Sequence, residues 1–212
     1  MLAEAALSAR PQHSNGDDLV PTAIRPKTFA HIVYRTYRFQ QMLDWYVTVF
    51  NGTVQHQSPV IAFVTYDEEH HRVALLNLGI IKGESDARTP RGQPGMDHVA
   101  YGYRSLTELL DKYAELKAKG VLPYWSVHHG ITVSLYYADP DGNQMEFQAD
   151  CFATNDDANA FMKGPHFETN PIGVEFDPEV LIGRLRAGEA ETDLLPRREH
   201  LPVSPVRGSL MG

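Results

Sequence analysis

Two short stretches of this chain match each other, and the match constrains its fold more than any other feature. Phe29-Ala30-His31-Ile32-Val33-Tyr34 and Met96-Asp97-His98-Val99-Ala100-Tyr101 each place a histidine third and a tyrosine three residues after it. The agreement continues downstream. Twelve residues after each histidine stands a leucine (Leu43, Leu110), at thirteen an aspartate (Asp44, Asp111) and at fifteen a tyrosine (Tyr46, Tyr113). Asn51-Gly52 closes the first register and Gly120 the second. A repeat of 67 residues is too long for a solenoid and marks a pair of modules.

Each module reads as β-α-β-β-β. Phe29 to Arg35 alternates as a strand does, with His31, Val33 and Arg35 on one face and Ile32 and Tyr34 on the other. Phe39 to Phe50 carries apolar residues at three- and four-residue spacings, as a helix requires. Strands are expected at 53–57, 60–66 and 72–78, with Asp67-Glu68-Glu69-His70-His71 joining the last two. In the second module a strand from His98 to Tyr103 leads to a helix over about 106–119. Ser105 and Glu108 form a capping-box pattern at its start. Strands follow at 121–127, 131–137 and 143–148, the last two joined by the turn Asp139-Pro140-Asp141-Gly142.

The expected architecture is α+β: two tandem βαβββ modules (28–79 and 96–150) forming a curved, partly closed mixed sheet around a metal site, with the helices outside. Residues 1–27 read as a loose arm. Residues 79–95 read as a connection rich in turn residues. Beyond Asp150 the pattern weakens. Phe161 and 170–176 are expected to be extended, and Asp177-Pro178-Glu179 to start a short amphipathic helix. This extension, 151–212, is expected to wrap the core or a neighbouring subunit.

Composition excludes some functions. With a formal net charge of -8 and no Lys/Arg run, the chain lacks the basic face of a nucleic-acid binder. No apolar run approaches membrane-spanning length, and no signal pattern opens the chain. Cys151 is the one cysteine, which fits a reducing, cytoplasmic setting.

The two histidines need a third ligand for a reactive metal site. In Gln144-Met145-Glu146-Phe147-Gln148, alternation puts Met145 and Phe147 on the core face and Glu146 on the other. Glu146 follows His98 by 48 residues; 48 after His31 stands Gly79, and the nearby strand holds no carboxylate. His31, His98 and Glu146 therefore make a two-histidine, one-carboxylate set. Such a set leaves open positions on Fe(II) for substrate and dioxygen.

At this point the chain resembles the vicinal oxygen chelate superfamily, and within it the small type I extradiol ring-cleaving dioxygenases. The resemblance covers roughly residues 28–150. Its best motif is Ser134-Leu135-Tyr136-Tyr137-Ala138-Asp139-Pro140-Asp141-Gly142-Asn143-Gln144-Met145-Glu146-Phe147. The resemblance implies Fe(II) at His31, His98 and Glu146, with Mn(II), Zn(II) or Ni(II) as alternatives. It implies a small aromatic diol and dioxygen as partners, and a homo-oligomer. Tyr136, ten residues before Glu146, matches the position that touches a substrate oxygen. His128 or His129 matches a pocket histidine. They are adjacent, so only one can point inward on an extended chain, and His129 is preferred. The position of the family's usual acid–base histidine, five residues before a His-His pair, holds Thr65 here, with Tyr66 beside it. His129, His128 or Tyr66 is then left to move the proton, unless the reaction departs from the standard one. Tyr124, Trp125 and Phe63 are candidates for an apolar wall. The competing readings are a glyoxalase-type metal-dependent isomerase or lyase, and a bleomycin-resistance-like binding protein.

Overall fold

The computed structural model describes residues 26–208. Most of the expected arm, 1–25, and residues 209–212 lie outside the described residues. Residues 26–30 hold no regular structure, and one compact unit begins at His31.

Each module folds as the repeat predicts. The first runs β1 (Ile32–Thr36), α1 (Phe39–Phe50), β2 (Thr53–Gln57), β3 (Ile61–Thr65) and β4 (Val73–Asn77). A short helix, α2 (Leu78–Lys82), opens the connection that the sequence reads as turns alone. The second module runs β5 (His98–Tyr103), α3 (Leu106–Ala118), β6 (Trp125–His128), β7 (Thr132–Ala138) and β8 (Gln144–Asp150). Strand β6 begins four residues later than expected: after Gly120 ends the helix, 121–123 carry no regular structure. Asn51 closes α1 in the left-handed conformation, which asparagine tolerates better than most residues. Ser105 Oγ accepts the Glu108 N–H at 3.0 Å, as the capping box requires. The Glu108 carboxylate takes the Arg104 N–H at 2.7 Å instead of that of Ser105.

The strands form two separate mixed sheets and not the partly closed sheet expected, because among the described residues β1 and β5 are both edges and do not pair with each other. The orders are β1-β4-β3-β2 and, once the tail strand β9 (Val174–Glu175) is included, β5-β8-β7-β6-β9. In both modules the first strand runs parallel to the fourth and the remaining pairs are antiparallel. Strands β1 and β5 are edges of their sheets. Their repeat-equivalent tyrosines, Tyr34 and Tyr101, interact by their side chains. Both helices share one apolar core with the inner faces of the sheets. Met42, Tyr46 and Val49 of α1, Leu109 and Leu116 of α3, and Phe147 of β8 are fully buried in it. Burying a side chain of this size stabilises by about 1.5–3 kcal/mol.

The tail is more helical than expected. Phe161 lies in α4 (Asn155–Met162), capped by Thr154, and α5 (Pro165–Thr169) follows. None of the α4 side chains is fully buried, which is why no apolar period announces the helix. Helix α6 (Pro178–Arg186) starts at the Asp177 cap as expected and packs on α3; α7 (Glu191–Leu194) ends the series.

Candidate active site

Alternation along the second sheet separates its two faces. Val133, Leu135, Tyr137, Met145 and Phe147 face the helices and are buried. The opposite face carries His98, Ala100 and Gly102 on β5, Gln144, Glu146 and Gln148 on β8, and Ser134 and Tyr136 on β7. The register pairs Ala100 with Glu146 and Glu146 with Tyr136. Small residues on β5 keep this face open: Ala100 pairs with Glu146, and a Cβ added at Gly102, opposite Gln148, would meet nothing within 4 Å.

Glu146 is the buried centre of this face. One carboxylate oxygen lies 3.1 Å from His98 Nε2, and the other 3.8 Å from His129 Nε2. His98 Nδ1 is 2.8 Å from the Asp97 carboxylate. Burial raises the pKa of Glu146, but hydrogen bonds from His98 and Ser134 and the nearby imidazoles outweigh it, and the net shift is downward. The Glu146 hydrogen bond, opposed by burial and helped by Asp97, raises His98 to about 9. His129 moves the other way, because burial disfavours its charged form. The site thus holds one imidazole that stays charged near neutrality and one that stays neutral. Tyr136 OH sits 3.1 Å from His129 Nε2, and burial raises the pKa of the phenol.

The adjacent histidines point to opposite faces. His128 pairs with Val133 on the helix side, and its Nε2 lies 2.9 Å from the Leu195 carbonyl oxygen. His129 alone reaches the face that carries Glu146. Trp125 lies over Tyr136, with ring centroids 4.8 Å apart, and Tyr124 OH donates to Gln144 Oε1 at 2.7 Å. Phe63 is not part of this wall. It belongs to the first sheet, where it stacks on His71.

His31 is not gathered with the others. Its side chain is exposed, and its ring neighbour is His71 at 4.4 Å. It stands just before edge strand β1, with the parity of the face opposite Tyr34, as His98 has the parity opposite Tyr101. Thr65 is buried and donates to the Glu69 carbonyl at 2.7 Å, while Tyr66 packs on Phe50. Neither has a contact with Glu146. Among the described residues, no three His, Cys, Asp or Glu side chains are close enough together to hold a metal ion. The donors on the second sheet do fit one in kind: an imidazole nitrogen and a carboxylate converge, and Asp97 orients the imidazole through its far nitrogen.

Sequence reasoning missed the outer wall and the partners of His129. A cleft of about 470 Å³ opens over Glu146, His129 and Tyr136, and is lined also by Asn155, Asn159 and Met162 of α4. The Ile172 carbonyl oxygen lies 2.5 Å from His129 Nδ1. Asp97 stood in the repeated stretch beside His98, where its charge was the available signal.

A family model described as the Glyoxalase/Bleomycin resistance protein/Dioxygenase superfamily matches residues 28–147. Biphenyl-2,3-diol 1,2-dioxygenase 2 of Rhodococcus globerulus is 49% identical over 162 residues, which span 76% of this chain and 82% of that protein. Biphenyl-2,3-diol 1,2-dioxygenase 3 of the same organism is 42% identical over 177 residues, spanning 84% and 92%. Among solved structures, lactoylglutathione lyase from Agrobacterium tumefaciens is similar at 17% identity and a TM-score of 0.47, over 58% of this chain and 94% of that one. The chain belongs to the glyoxalase/bleomycin resistance/dioxygenase superfamily, and within it to the extradiol ring-cleaving dioxygenases. It is an oxidoreductase of aromatic compound catabolism.

Proposed function

We propose that this enzyme uses Fe(II) and dioxygen to open the ring of a catechol-type vicinal diol beside the two hydroxyls, with biphenyl-2,3-diols as the first substrates to try. One observation carries the reading. A histidine–carboxylate pair, a neutral histidine and a tyrosine meet on one sheet face, and a cleft of about 470 Å³ opens beside them over Glu146, His129 and Tyr136.

His98 and Glu146 would hold the metal, with His31, just before the edge strand β1, as the third ligand once its exposed ring turns toward them. When bound, Fe(II) supplies a place where the diol oxygens and dioxygen meet and exchange electrons. The chain's own groups do the rest. His129, neutral near pH 7, accepts a proton at Nε2 and can return it. Tyr136 OH, buried and protonated, donates a hydrogen bond to a substrate oxygen. Trp125 and Tyr124 offer apolar surface beside Tyr136, and α4 lines one side of the cleft. His128 takes no part, because its ring is bound on the other face.

Self-association is part of the reading. What supports it is β2, an edge strand exposed along its whole length, which a second copy can cover. Sedimentation of the purified protein checks this: a monomer at all concentrations contradicts it. A reducing compartment is proposed from Cys151, a free thiol.

The test of the function is anaerobic loading with Fe(II), addition of a diol, then admission of oxygen. A yellow ring-fission product with equimolar oxygen uptake is expected. Absence of both for every catechol tried would refute the proposal.

A further inference from the structure

The C-terminal extension holds the second sheet at several points, and one of them bears on His129. Arg197, with a side chain 1% exposed, donates from Nη1 to the carbonyls of His129 (3.0 Å) and Asn170 (2.8 Å). Its Nη2 donates to the His166 carbonyl (2.9 Å), and Glu199 pairs with the remaining donors. Buried Asn170 closes the turn over 170–173. Its Nδ2 donates to the Gly173 carbonyl at 3.0 Å, and the Gly173 N–H donates to its Oδ1 at 2.7 Å. Gly173 has a φ of +112°, and a Cβ there would stand 2.3 Å from the His128 carbonyl oxygen. The turn is therefore pressed directly onto the backbone of the adjacent histidines, and only glycine permits the approach.

This turn presents the Ile172 carbonyl to His129 Nδ1 at 2.5 Å. A carbonyl oxygen only accepts, so Nδ1 must carry the proton. Nε2 is then left with a free lone pair, 3.1 Å from Tyr136 OH and 3.8 Å from a Glu146 oxygen. Without substrate the Tyr136 hydroxyl donates to that lone pair; when it turns its one proton to a substrate oxygen, Nε2 is freed to accept. Were the proton on Nε2 instead, the ring could not accept one at the site, and the Ile172 carbonyl would lose its donor.

We propose that the 170–173 turn, locked by Arg197, is a positioning device for His129, and that it fixes the tautomer and aim that make Nε2 the proton acceptor of the site. The catalytic part of this rests on the role given to His129 under Proposed function. The tautomeric part stands on geometry alone. Arg197 and Gly173 are positioning residues, since they touch the backbone around the histidine and not the reacting atoms.

The test begins with metal-free protein labelled with ¹⁵N in histidine, with His129 assigned by comparison with His129→Gln. Long-range ¹H–¹⁵N spectra at pH 8 should show His129 as the Nδ1–H tautomer. In Arg197→Met and Gly173→Ala, each checked for its fold by circular dichroism, the signal should move to mixed tautomers. Arg197→Lys should restore part of the wild-type signal. In iron-loaded protein the Met and Ala variants should lose roughly tenfold or more in kcat with KM little changed, because a misaimed proton acceptor affects the chemical step. An Nε2–H tautomer in the wild type, or a wild-type spectrum in folded variants, would overturn the proposal. If the variants do not fold, the wild-type spectrum decides it alone. Lack of any diol cleavage would remove the functional reading while leaving the tautomer result in force.

Discussion

At the residue scale, the account rests on a carboxylate with two histidines of opposite character. Glu146→Gln should abolish stoichiometric iron binding while circular dichroism is unchanged; retained iron would show that the ligand set is wrong. His129→Ala should bind iron but lose roughly 10²–10⁴-fold in kcat, the usual range for a lost general acid–base group. A variant with full kcat would assign the proton to another residue. The metal-free protein should also show the pair in its pH stability. His98 is held at about 9 by Glu146, against burial and with help from Asp97, above its ordinary value of 6.5. Its contribution is therefore complete below about pH 6.5 and is lost as pH rises through about 9. Glu146 is held below its ordinary value of 4.5, so its contribution is present above about pH 4.5 and is lost as pH falls further. Melting temperature should fall on going from about pH 6.5 to about pH 9.5, and Glu146→Gln should flatten that limb. Equal slopes in the two proteins would show that the pair contributes nothing. The face of Glu146 was legible from alternation, and Tyr136 from the resemblance of its motif. Between His128 and His129 the sequence preferred His129, but the reason, where β6 begins its pairing with β7, is a long-range fact that it does not carry.

At the scale of elements, strong local periods were readable and weak ones were not. Helices α1 and α3 lie where their apolar spacing put them, because each buries a full stripe against the sheets. Ser105→Ala should cost about 1 kcal/mol of stability, measured by urea unfolding, since it removes the acceptor for the Glu108 N–H. Helix α4 escaped notice because it buries no side chain fully and is defined by the Thr154 cap and the cleft it covers. The hold of the tail on His129 was equally hidden, since it runs through the backbone carbonyl of Ile172, and a carbonyl has no sequence signature. Strand β5 offers a test of the cleft itself. Ala100 faces Glu146 across the register, so Ala100→Leu should preserve the fold and raise KM for the diol at least roughly tenfold by filling space above the carboxylate. An unchanged KM would place the substrate elsewhere.

At the scale of the molecule, the duplication explains both what the two halves share and how they divide the work. Both modules have the same strand order, and Tyr34 and Tyr101 meet at equivalent positions on the adjoining edge strands. The chemistry is unequal. The second sheet gathers His98, Glu146, His129 and Tyr136, while the first offers His31 from its edge, next to His71. That inequality was visible in the sequence as the absence of a first-module counterpart to Glu146. The position of the His31 ring was not, because an exposed side chain takes its place from neighbours that the repeat does not specify. The central claim is that this unequal pair of sheets builds one oxygen-activating iron site. Its most direct test is oxygen uptake by anaerobically iron-loaded protein mixed with a biphenyl-2,3-diol. The account predicts one dioxygen consumed per yellow ring-fission product formed, with both lost in Glu146→Gln. Uptake without ring opening, or equal product from Glu146→Gln, would contradict it.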